Sequence, residues 1–219
     1  MKVLVFDTET TGLPKDYNTS ILDTENWPYI VQFSYILYDT TSSKILVKEN
    51  NIIKICDDVE ITEESIKVHG ITKTMCEENG IDIVKAINDF NTVMRNSDLV
   101  IAHNISFDKR VIMVECIRNK ISQYFTINGV KKPEFCTMKK SVDLCAIEKV
   151  TIKTGKKYFK YPTLSELHKK LFGNIPKGTH DALADILICL RCYVLIEHKC
   201  DINKTGCEEF KTLYHKMCM

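Results

Sequence analysis

The amino-acid sequence predicts an α/β fold in which a mixed β-sheet is flanked by helices. Two observations indicate this fold class. Apolar runs with the composition of β-strands dominate the first part of the chain, where polar, turn-rich segments separate them. The remainder carries helical patterns and one further strand pattern. Strands that come first and are followed by helices, a further strand and more helices favour a mixed sheet covered by helices.

The predicted strands lie in the first half of the chain. The first is the apolar run at residues 3–6. Two further runs, at 29–38 and 44–54, are predicted to form a hairpin, because only a short polar segment separates them. A fourth strand is predicted at 98–102.

Helical patterns follow the hairpin. The first predicted helix is short, with Thr62 as its N-cap and Gly70 at its end. The second has apolar residues at helical spacing along 81–94, which is typical of an amphipathic helix. The remaining predicted helices run from about 107 to 119, from 164 to 172 and from 182 to 198.

The composition is that of a globular protein of one domain. The chain has 219 residues, of which 44% are hydrophobic and 27% charged, so it can bury a substantial core. No apolar run approaches the roughly 20 residues that span a bilayer. The N-terminus does not have the pattern of a signal peptide. We therefore expect an intracellular protein, cytoplasmic or nuclear, with no membrane association.

The type of positively charged residue is more informative than the net charge. A net charge of +1 gives no global attraction to nucleic acid. The chain carries 26 lysines and four arginines, and a lysine-rich surface suits contact with a phosphate backbone regardless of base sequence. An AT-rich genome is an equally good explanation of this skew.

Ten cysteines are spaced irregularly along the chain. Cys189 and Cys192 form a C-x-x-C pair, which raises the possibility of a zinc site. They lie within the predicted helix at 182–198, whereas zinc-binding pairs usually occupy tight turns. We expect buried free thiols that pack as small apolar side chains.

Asp7 and Glu9 follow the first apolar run and are the most informative acids. Residues two apart in a strand point to the same face of the sheet. Two carboxylates on one face repel each other unless a cation lies between them, and hard divalent cations prefer such oxygen ligands. A turn and a solvated surface acid are the competing interpretation, because an isolated pair of this kind is common by chance.

Two further motifs accompany this pair. The segment His103-Asn104-Ile105-Ser106-Phe107-Asp108 follows the predicted strand at 98–102. His180 and Asp185 stand five residues apart where the last long helix begins. Each acid therefore lies beside a buried element, and we expect all of them to converge on one end of the sheet.

Together, F-D-T-E-T-T-G-L (6–13), H-N-x-x-F-D (103–108) and H-x-x-x-x-D (180–185) resemble the DEDDh-type 3′→5′ exonucleases. That family includes the proofreading subunit of bacterial DNA polymerase III, and the chain also resembles the RNase T superfamily. The resemblance covers residues 1–198 and implies a ribonuclease H-like mixed five-stranded sheet. It also implies two divalent cations, Mg²⁺ or Mn²⁺, and the 3′ ends of single-stranded DNA or RNA as substrate. Residues 199–219 are expected to form a C-terminal appendage packed on the same domain.

The resemblance also assigns the metal ligands. Asp7 bridges the two cations, Glu9 and Asp185 complete the site that activates water, and Asp108 holds the second cation. The alternatives are an N-cap for Asp108 and a surface acid for Asp185. Asp185 fits its alternative poorly, because the side chains that follow it on the same helix face are apolar and a buried acid needs a partner.

His180 is predicted to lie in the loop before the last long helix. A histidine titrates near neutrality and can accept the proton of an attacking water, so His180 is the predicted general base. Capping of the helix and simple exposure are the alternatives. The sister group of exonucleases places a tyrosine four residues before the last acid, where this chain has Asp181. Ribonuclease H endonucleases carry their first glutamate on a helix far along the chain, whereas here Glu9 follows two residues after Asp7. Both groups are therefore disfavoured.

Substrate contacts are expected in three places. The family's terminal nucleotide is approached by Thr10, Gly12 and Leu13, although Leu13 could equally be packed inside the loop. Asn104 and Phe107 belong to the second motif, and we expect Phe107 to pack in the core rather than stack on a base. Lysines and aromatic residues alternate in 149–161, including Lys156 and Lys157, which suits either a single-strand channel or a solvated hairpin.

These observations predict a metal-dependent 3′→5′ exonuclease that trims single-stranded ends to 5′-mononucleotides. DNA is favoured, because the form E-T-T-G-L resembles polymerase-associated and repair members, whereas oligoribonuclease relatives carry E-M-T-G-L. An RNA-processing exoribonuclease is one alternative. The other is a proofreading or accessory module that acts mainly in complex with a DNA polymerase.

Overall fold

The computed structural model describes residues 1–16 and 18–219. Within them, the strands are β1 (Lys2–Thr10), β2 (Ile30–Asp39), β3 (Lys44–Ile52), β4 (Leu99–Ala102), β5 (Thr126–Ile127), β6 (Val130–Lys131), β7 (Glu134–Cys136), β8 (Glu148–Val150) and β9 (Lys157–Phe159). The helices are α1 (Glu63–His69), α2 (Lys73–Asn79), α3 (Ile83–Arg95), α4 (Ile105–Arg118), α5 (Thr137–Lys140), α6 (Val142–Cys145), α7 (Leu164–Phe172), α8 (Ala182–His198), α9 (Ile202–Thr205) and α10 (Glu208–Cys218). A 3₁₀ turn covers Thr24–Asn26.

Five strands form the central sheet in the order β3-β2-β1-β4-β7. β1 pairs antiparallel with β2, and β2 pairs antiparallel with β3. β4 runs parallel to both β1 and β7. The predicted mixed five-stranded sheet is therefore confirmed. Because β1, β4 and β7 are parallel, they all end at one edge, here called the carboxyl edge, and this edge carries the site.

Helices cover both faces of the sheet. Val3 and Val5 of β1 pack on one face against α8, together with α7 and α10. Leu4 and Phe6 point to the opposite face and pack against α3 and α4. The alternation continues along β1, so Asp7 and Glu9 lie on the α8 side, whereas Thr8 points towards α4.

Most predicted elements are confirmed, and their ends are set by caps. The side chain of Thr62 accepts a hydrogen bond from the backbone N–H of Ser65, and Gly70 ends α1 in the left-handed region. α3 begins later than predicted, because Asp82 caps it through the backbone N–H of Val84 at 2.7 Å. α4 begins earlier, at Ile105. α7 and α8 have the predicted bounds.

The C-terminal segment packs on α8 and α7. Arg191 of α8 donates two hydrogen bonds of 2.8 Å to Asp201. His168 of α7 accepts a hydrogen bond from the hydroxyl of Tyr214 at 2.6 Å, and Arg191 donates to that hydroxyl at 3.0 Å. These buried polar contacts fasten α10 to the helices that cover the sheet.

All ten cysteines are free. Cys189 and Cys192 are buried in α8, and burial raises the pKa of both thiols. The predicted burial of both thiols within one helix is therefore confirmed. Among residues 1–16 and 18–219, no helix combines the length and the apolar character needed to cross a bilayer.

Candidate active site

Three acids meet at the carboxyl edge. Asp7 and Glu9 come from the end of β1, and Asp185 comes from the first turn of α8. Each offers a carboxylate oxygen, and these oxygens all lie within 4.8 Å of one another. All three side chains are partly buried. The predicted convergence of these acids is therefore observed.

Only one carboxylate oxygen of Asp185 has a hydrogen-bond partner among the described residues. Its Oδ2 accepts a hydrogen bond from the backbone N–H of His180 at 3.1 Å. Its Oδ1 is buried and has no hydrogen-bond partner. The surface-acid interpretation is therefore wrong, and an unpartnered buried carboxylate oxygen is costly unless a ligand binds it.

The start of α8 is anchored to β2. Asp181 caps the helix by accepting hydrogen bonds from the backbone N–H groups of Leu183 and Ala184, at 3.0 and 3.1 Å. Gln32 of β2 accepts a hydrogen bond from the backbone N–H of Ala182 at 3.1 Å and donates to Asp181 at 3.3 Å. These bonds fix the first turn of α8, and with it Asp185, over the end of the sheet.

Asp108 is fixed to β1 rather than to its own helix. It lies inside the first turn of α4, whose N-cap is Asn104, so the N-cap interpretation of Asp108 is wrong. Its Oδ1 accepts hydrogen bonds from the backbone N–H of Thr8 at 3.1 Å and from the Thr8 hydroxyl at 2.9 Å. The side chain is buried beside the other three acids.

The four acids share one electrostatic environment. Burial, together with the neighbouring acids, holds the pKa of Asp7 well above its usual range. Burial, followed by the charge of Asp185, raises the pKa of Glu9 to about 8. Burial raises the pKa of both Asp108 and Asp185 to about 7, although each accepts hydrogen bonds that favour its charged form. The four groups need added positive charge to be ionised together at neutral pH.

The chain's own side chains do not supply that charge. Across the described part of the sequence, none of the four acids forms an ion pair with a lysine, an arginine or a histidine. The clustered oxygens and the unpartnered Oδ1 of Asp185 fit a hard divalent cation, which takes oxygen ligands. Asp7, Glu9 and Asp185 are the residues best placed to hold it.

His180 lies in the loop before α8, as predicted. Its side chain is exposed, and its backbone adopts the left-handed region with φ +73°. Because Asp181 caps α8, the capping interpretation of His180 is wrong. The loop rests on the end of α10, where the backbone N–H of Lys177 donates to the carbonyl of Cys218 at 3.0 Å.

A pocket of about 390 Å³ adjoins Glu9. Its lining includes Thr8, Glu9, Thr10, Gly12, Leu13, Thr62, Glu64, Ser65, Val68, His69 and Phe107. Leu13 is 69% exposed, so buried packing of this side chain is wrong. Phe107 is half-buried: it packs against the α3–α4 core, as predicted, and also reaches the pocket.

The wall formed by α1 was not predicted from the sequence. His69 donates a hydrogen bond from Nε2 to the carbonyl of Thr10 at 3.2 Å. The backbone N–H of Thr62 donates to the carbonyl of Thr11 at 2.9 Å. A Cβ on Gly12 would lie 3.3 Å from the methyl group of Thr62, so a side chain here would require Thr62 or the loop to shift by a few tenths of an ångström. The sequence predicted the N-cap at Thr62, but it did not predict that Thr62 contacts residues 10–12.

Residues 4–193 match the RNase T family model, which is described as an exonuclease. The chain belongs to this exonuclease family. The resemblance to the DEDDh-type 3′→5′ exonucleases is thereby confirmed. No curated protein matches the chain significantly.

Solved exonuclease structures share the fold. Exonuclease I of E. coli in complex with a dT13 oligonucleotide is 17% identical, with a TM-score of 0.65 over 90% of this chain and 42% of that chain. Its zinc-bound complex with single-stranded DNA is 17% identical, with a TM-score of 0.66 over 98% of this chain and 42% of that chain. The chain thus spans less than half the length of these structures, and at this identity the likeness shows the ribonuclease H-like fold.

The other exonuclease motif residues lie around the acids. Asn104 is the N-cap of α4, with φ +65°, and its side chain makes no capping bond. The side chain of His103 connects two distant segments. Its Nε2 donates to the carbonyl of Pro162 at 3.1 Å, and its Nδ1 accepts from the hydroxyl of Thr137 at 2.9 Å. Burial lowers the pKa of His103 to about 4, so this imidazole is neutral.

Lys156 and Lys157 are not brought into the pocket. They lie on the exposed hairpin formed by β8 and β9. Lys157 forms an ion pair of 3.0 Å with Glu148 on the facing strand. Of the two interpretations of this segment, a solvated hairpin describes its structure, and its contacts with substrate stay a prediction.

Proposed function

We propose that the chain is a metal-dependent 3′→5′ exonuclease that releases 5′-mononucleotides from single-stranded ends. The observation that carries this proposal is the cluster of Asp7, Glu9 and Asp185, whose oxygens lie within 4.8 Å beside a pocket. Folding does not require three acids in one place, and it leaves their pKa values raised. A cation-dependent reaction accounts for both features.

Two divalent cations, Mg²⁺ or Mn²⁺, fit the donor set. Asp7, Glu9 and Asp185 would hold one, and Asp7 and Asp108 would hold the second. When bound, such a pair activates a water molecule and neutralises the leaving oxygen of a phosphodiester. The protein's contribution is to keep the four carboxylates in position, through Thr8 for Asp108 and through the backbone of His180 for Asp185.

His180 is the proposed general base. Its side chain is exposed, and its backbone N–H donates to Asp185 at 3.1 Å, so the loop that carries the imidazole adjoins the acids. A histidine in such a position accepts the proton that an attacking water loses. Two residues before His180, the same loop contains Gly178, which has φ +70° and lies against α10.

The pocket beside Glu9 is the proposed site of the 3′-terminal nucleotide. Its volume of about 390 Å³ lies within the range of about 300–1,000 Å³ that small ligands occupy. The exposed side chain of Leu13 and the half-buried ring of Phe107 offer apolar surfaces to a base. Thr10 and Gly12 bring backbone groups to the same wall.

DNA is the preferred substrate in this proposal. The structural neighbours from E. coli hold dT13 and dA16 oligonucleotides, and these are DNA strands. An RNA-processing exoribonuclease is the alternative that the substrate assay decides. The polymerase-associated interpretation predicts instead that activity is low in the isolated chain and rises in a complex.

The test uses matched DNA and RNA strands labelled at either end and incubated with Mg²⁺ or Mn²⁺. We expect labelled 5′-mononucleotide from the 3′ label at once, and progressive shortening from the 5′ label. Asp7→Asn, which keeps the shape of the side chain but removes its charge, is expected to abolish release. Retention of a substantial part of the activity in Asp7→Asn would contradict the assignment of the cation site.

A further inference from the structure

The segment 137–170, here called the basic lobe, differs in charge from the rest of the chain. It contains nine lysines and three acids, a net charge of +6, whereas the whole chain has a net charge of +1. Two of these acids, Glu148 and Glu166, are neutralised by ion pairs with Lys157 at 3.0 Å and Lys160 at 2.6 Å. The other seven lysines are exposed, and none of them forms an ion pair with any described residue. Such a surface attracts a polyanion.

The lobe also carries aromatic side chains that are exposed to solvent. Tyr158, Phe159 and Tyr161 are 50%, 43% and 59% exposed. Among residues 1–16 and 18–219, these are the only aromatic side chains that are exposed rather than buried or half-buried. Exposed rings that cluster in one place mark a surface that binds a partner. Rings set among lysines suit stacked bases joined by phosphates.

The rings and lysines line one groove. Its volume is about 590 Å³, and its lining includes Lys139, Val142, Tyr158, Lys160 and Tyr161. Lys139 enters from α5, and the aromatic residues enter from β9 and the residues after it. The groove therefore offers the unpaired charge of Lys139 and aromatic faces to the same ligand.

The lobe begins beside the acids. Thr137 directly follows β7, which ends at the same carboxyl edge as β1 and β4. His103 contacts Thr137 at 2.9 Å and Pro162 at 3.1 Å, and it lies in the short segment that leads to Asp108. Both ends of the aromatic groove are thus tied to a segment that carries one of the site's acids.

We propose that the basic lobe binds the single-stranded nucleic acid upstream of the 3′-terminal nucleotide, with bases stacked on Tyr158 and Tyr161 and phosphates facing the lysines of α5. This proposal rests on the proposed exonuclease function. A strand whose 3′ end occupies the pocket beside Glu9 runs past the acids to the β7 side of the sheet, where the lobe lies. The lobe then determines affinity for long strands and leaves very short ones unaffected.

Two double variants test the proposal. Tyr158→Ala with Tyr161→Ala removes the exposed rings, and Lys139→Ala with Lys140→Ala removes two exposed charges. Lys204→Ala with Lys216→Ala removes two exposed lysines from the C-terminal segment and is the matched control. Binding is measured by fluorescence anisotropy in the Asp7→Asn background, and cleavage is measured with the active chain. The substrates are a trinucleotide and an oligo-dT strand of about 20 nucleotides, longer than the roughly 4–16 that one single-strand binding fold covers.

The tyrosine variant is expected to bind the long strand at least about 25-fold more weakly, because stacking contributes at least about 5-fold for each base and two rings are removed. The lysine variant should make the dependence of log K on log salt shallower by about 1.4, which corresponds to two released counterions. Trinucleotide cleavage and the control variant should stay as in the unmodified chain.

Three results would separate the possible failures. Unchanged binding of the long strand by the tyrosine variant would overturn the proposal. So would equal binding of polyglutamate and oligo-dT, because that result indicates an acidic protein as the partner. Absence of nucleotide release from either substrate by the unmodified chain would instead overturn the exonuclease function on which the proposal rests.

Discussion

Gly178 connects the C-terminal helix to the active site, and its replacement by alanine is a sharp test of the His180 loop. The residue has φ +70°, and a Cβ built there would lie 2.3 Å from the carbonyl oxygen of Met217. Carbon and oxygen atoms approach no closer than about 3.3 Å in ordinary contacts, so the loop must move by about 1 Å away from α10. His180 lies two residues later and bonds to Asp185 at 3.1 Å.

A displacement of about 1 Å at a catalytic group can lower the rate about 10²-fold. We therefore expect Gly178→Ala to lower kcat by about 10²-fold with little change in KM, since the proposed nucleotide pocket is formed by other residues. The left-handed backbone alone adds a strain of roughly 1–2 kcal/mol. Single-turnover release of a 3′ label, measured together with the melting temperature, separates the two effects.

Gly129→Ala is the matched control. Gly129 has φ +78°, but nothing lies within 4 Å of a Cβ at this position, so it carries the backbone strain without the clash. The control should lose stability and keep its kcat. Equal kcat values in the two variants would refute the reasoning, because the contact of the loop with α10 would then not govern the site.

Two further predictions concern the acids and the base. In chelator-treated protein, the melting temperature should fall as the pH rises from about 5 to about 8. The pKa of Glu9 is raised to about 8 in the folded state, so over this range the folded state keeps a proton that the unfolded state has released. Stability is therefore lost as the pH rises through the folded pKa. Mg²⁺ should therefore raise the melting temperature more at pH 8 than at pH 5, and a flat or rising profile without cation would contradict the assignment. His180→Asn, which tolerates the left-handed backbone at φ +73°, should lower kcat about 10²–10⁴-fold and leave Mn²⁺ affinity unchanged in calorimetry. A loss below tenfold would demote His180 to a positioning residue.

Local sequence patterns predicted the parts of the site that depend on short-range geometry. The alternation of β1 places Asp7 and Glu9 on one face, and the apolar face of α8 marked Asp185 as buried. The order of the three motifs supplied the family, because each motif follows or opens a recognisable element. These inferences need only the periodicities of strands and helices.

The parts that the sequence did not predict are contacts between distant segments. The hydrogen bond by which Gln32 anchors α8 joins residues that are 150 positions apart. No local sequence pattern at Gln32 or at Asp181 indicates which distant residue each one contacts. The bond from His69 to the loop after β1 and the contact of Gly178 with α10 have the same origin. β7 has three residues, too few for a strand periodicity to be visible.

End-directed hydrolysis is the central claim, and one comparison tests it most directly. A linear single strand with a free 3′ hydroxyl and a covalently closed circle of the same sequence are incubated with the chain and Mg²⁺, and the products are separated by size. We predict that the linear strand is converted to 5′-mononucleotides while the circle stays intact, because the pocket beside Glu9 is the proposed site of a terminal nucleotide. Opening of the circle at a rate comparable to degradation of the linear strand would contradict the account and indicate an endonuclease.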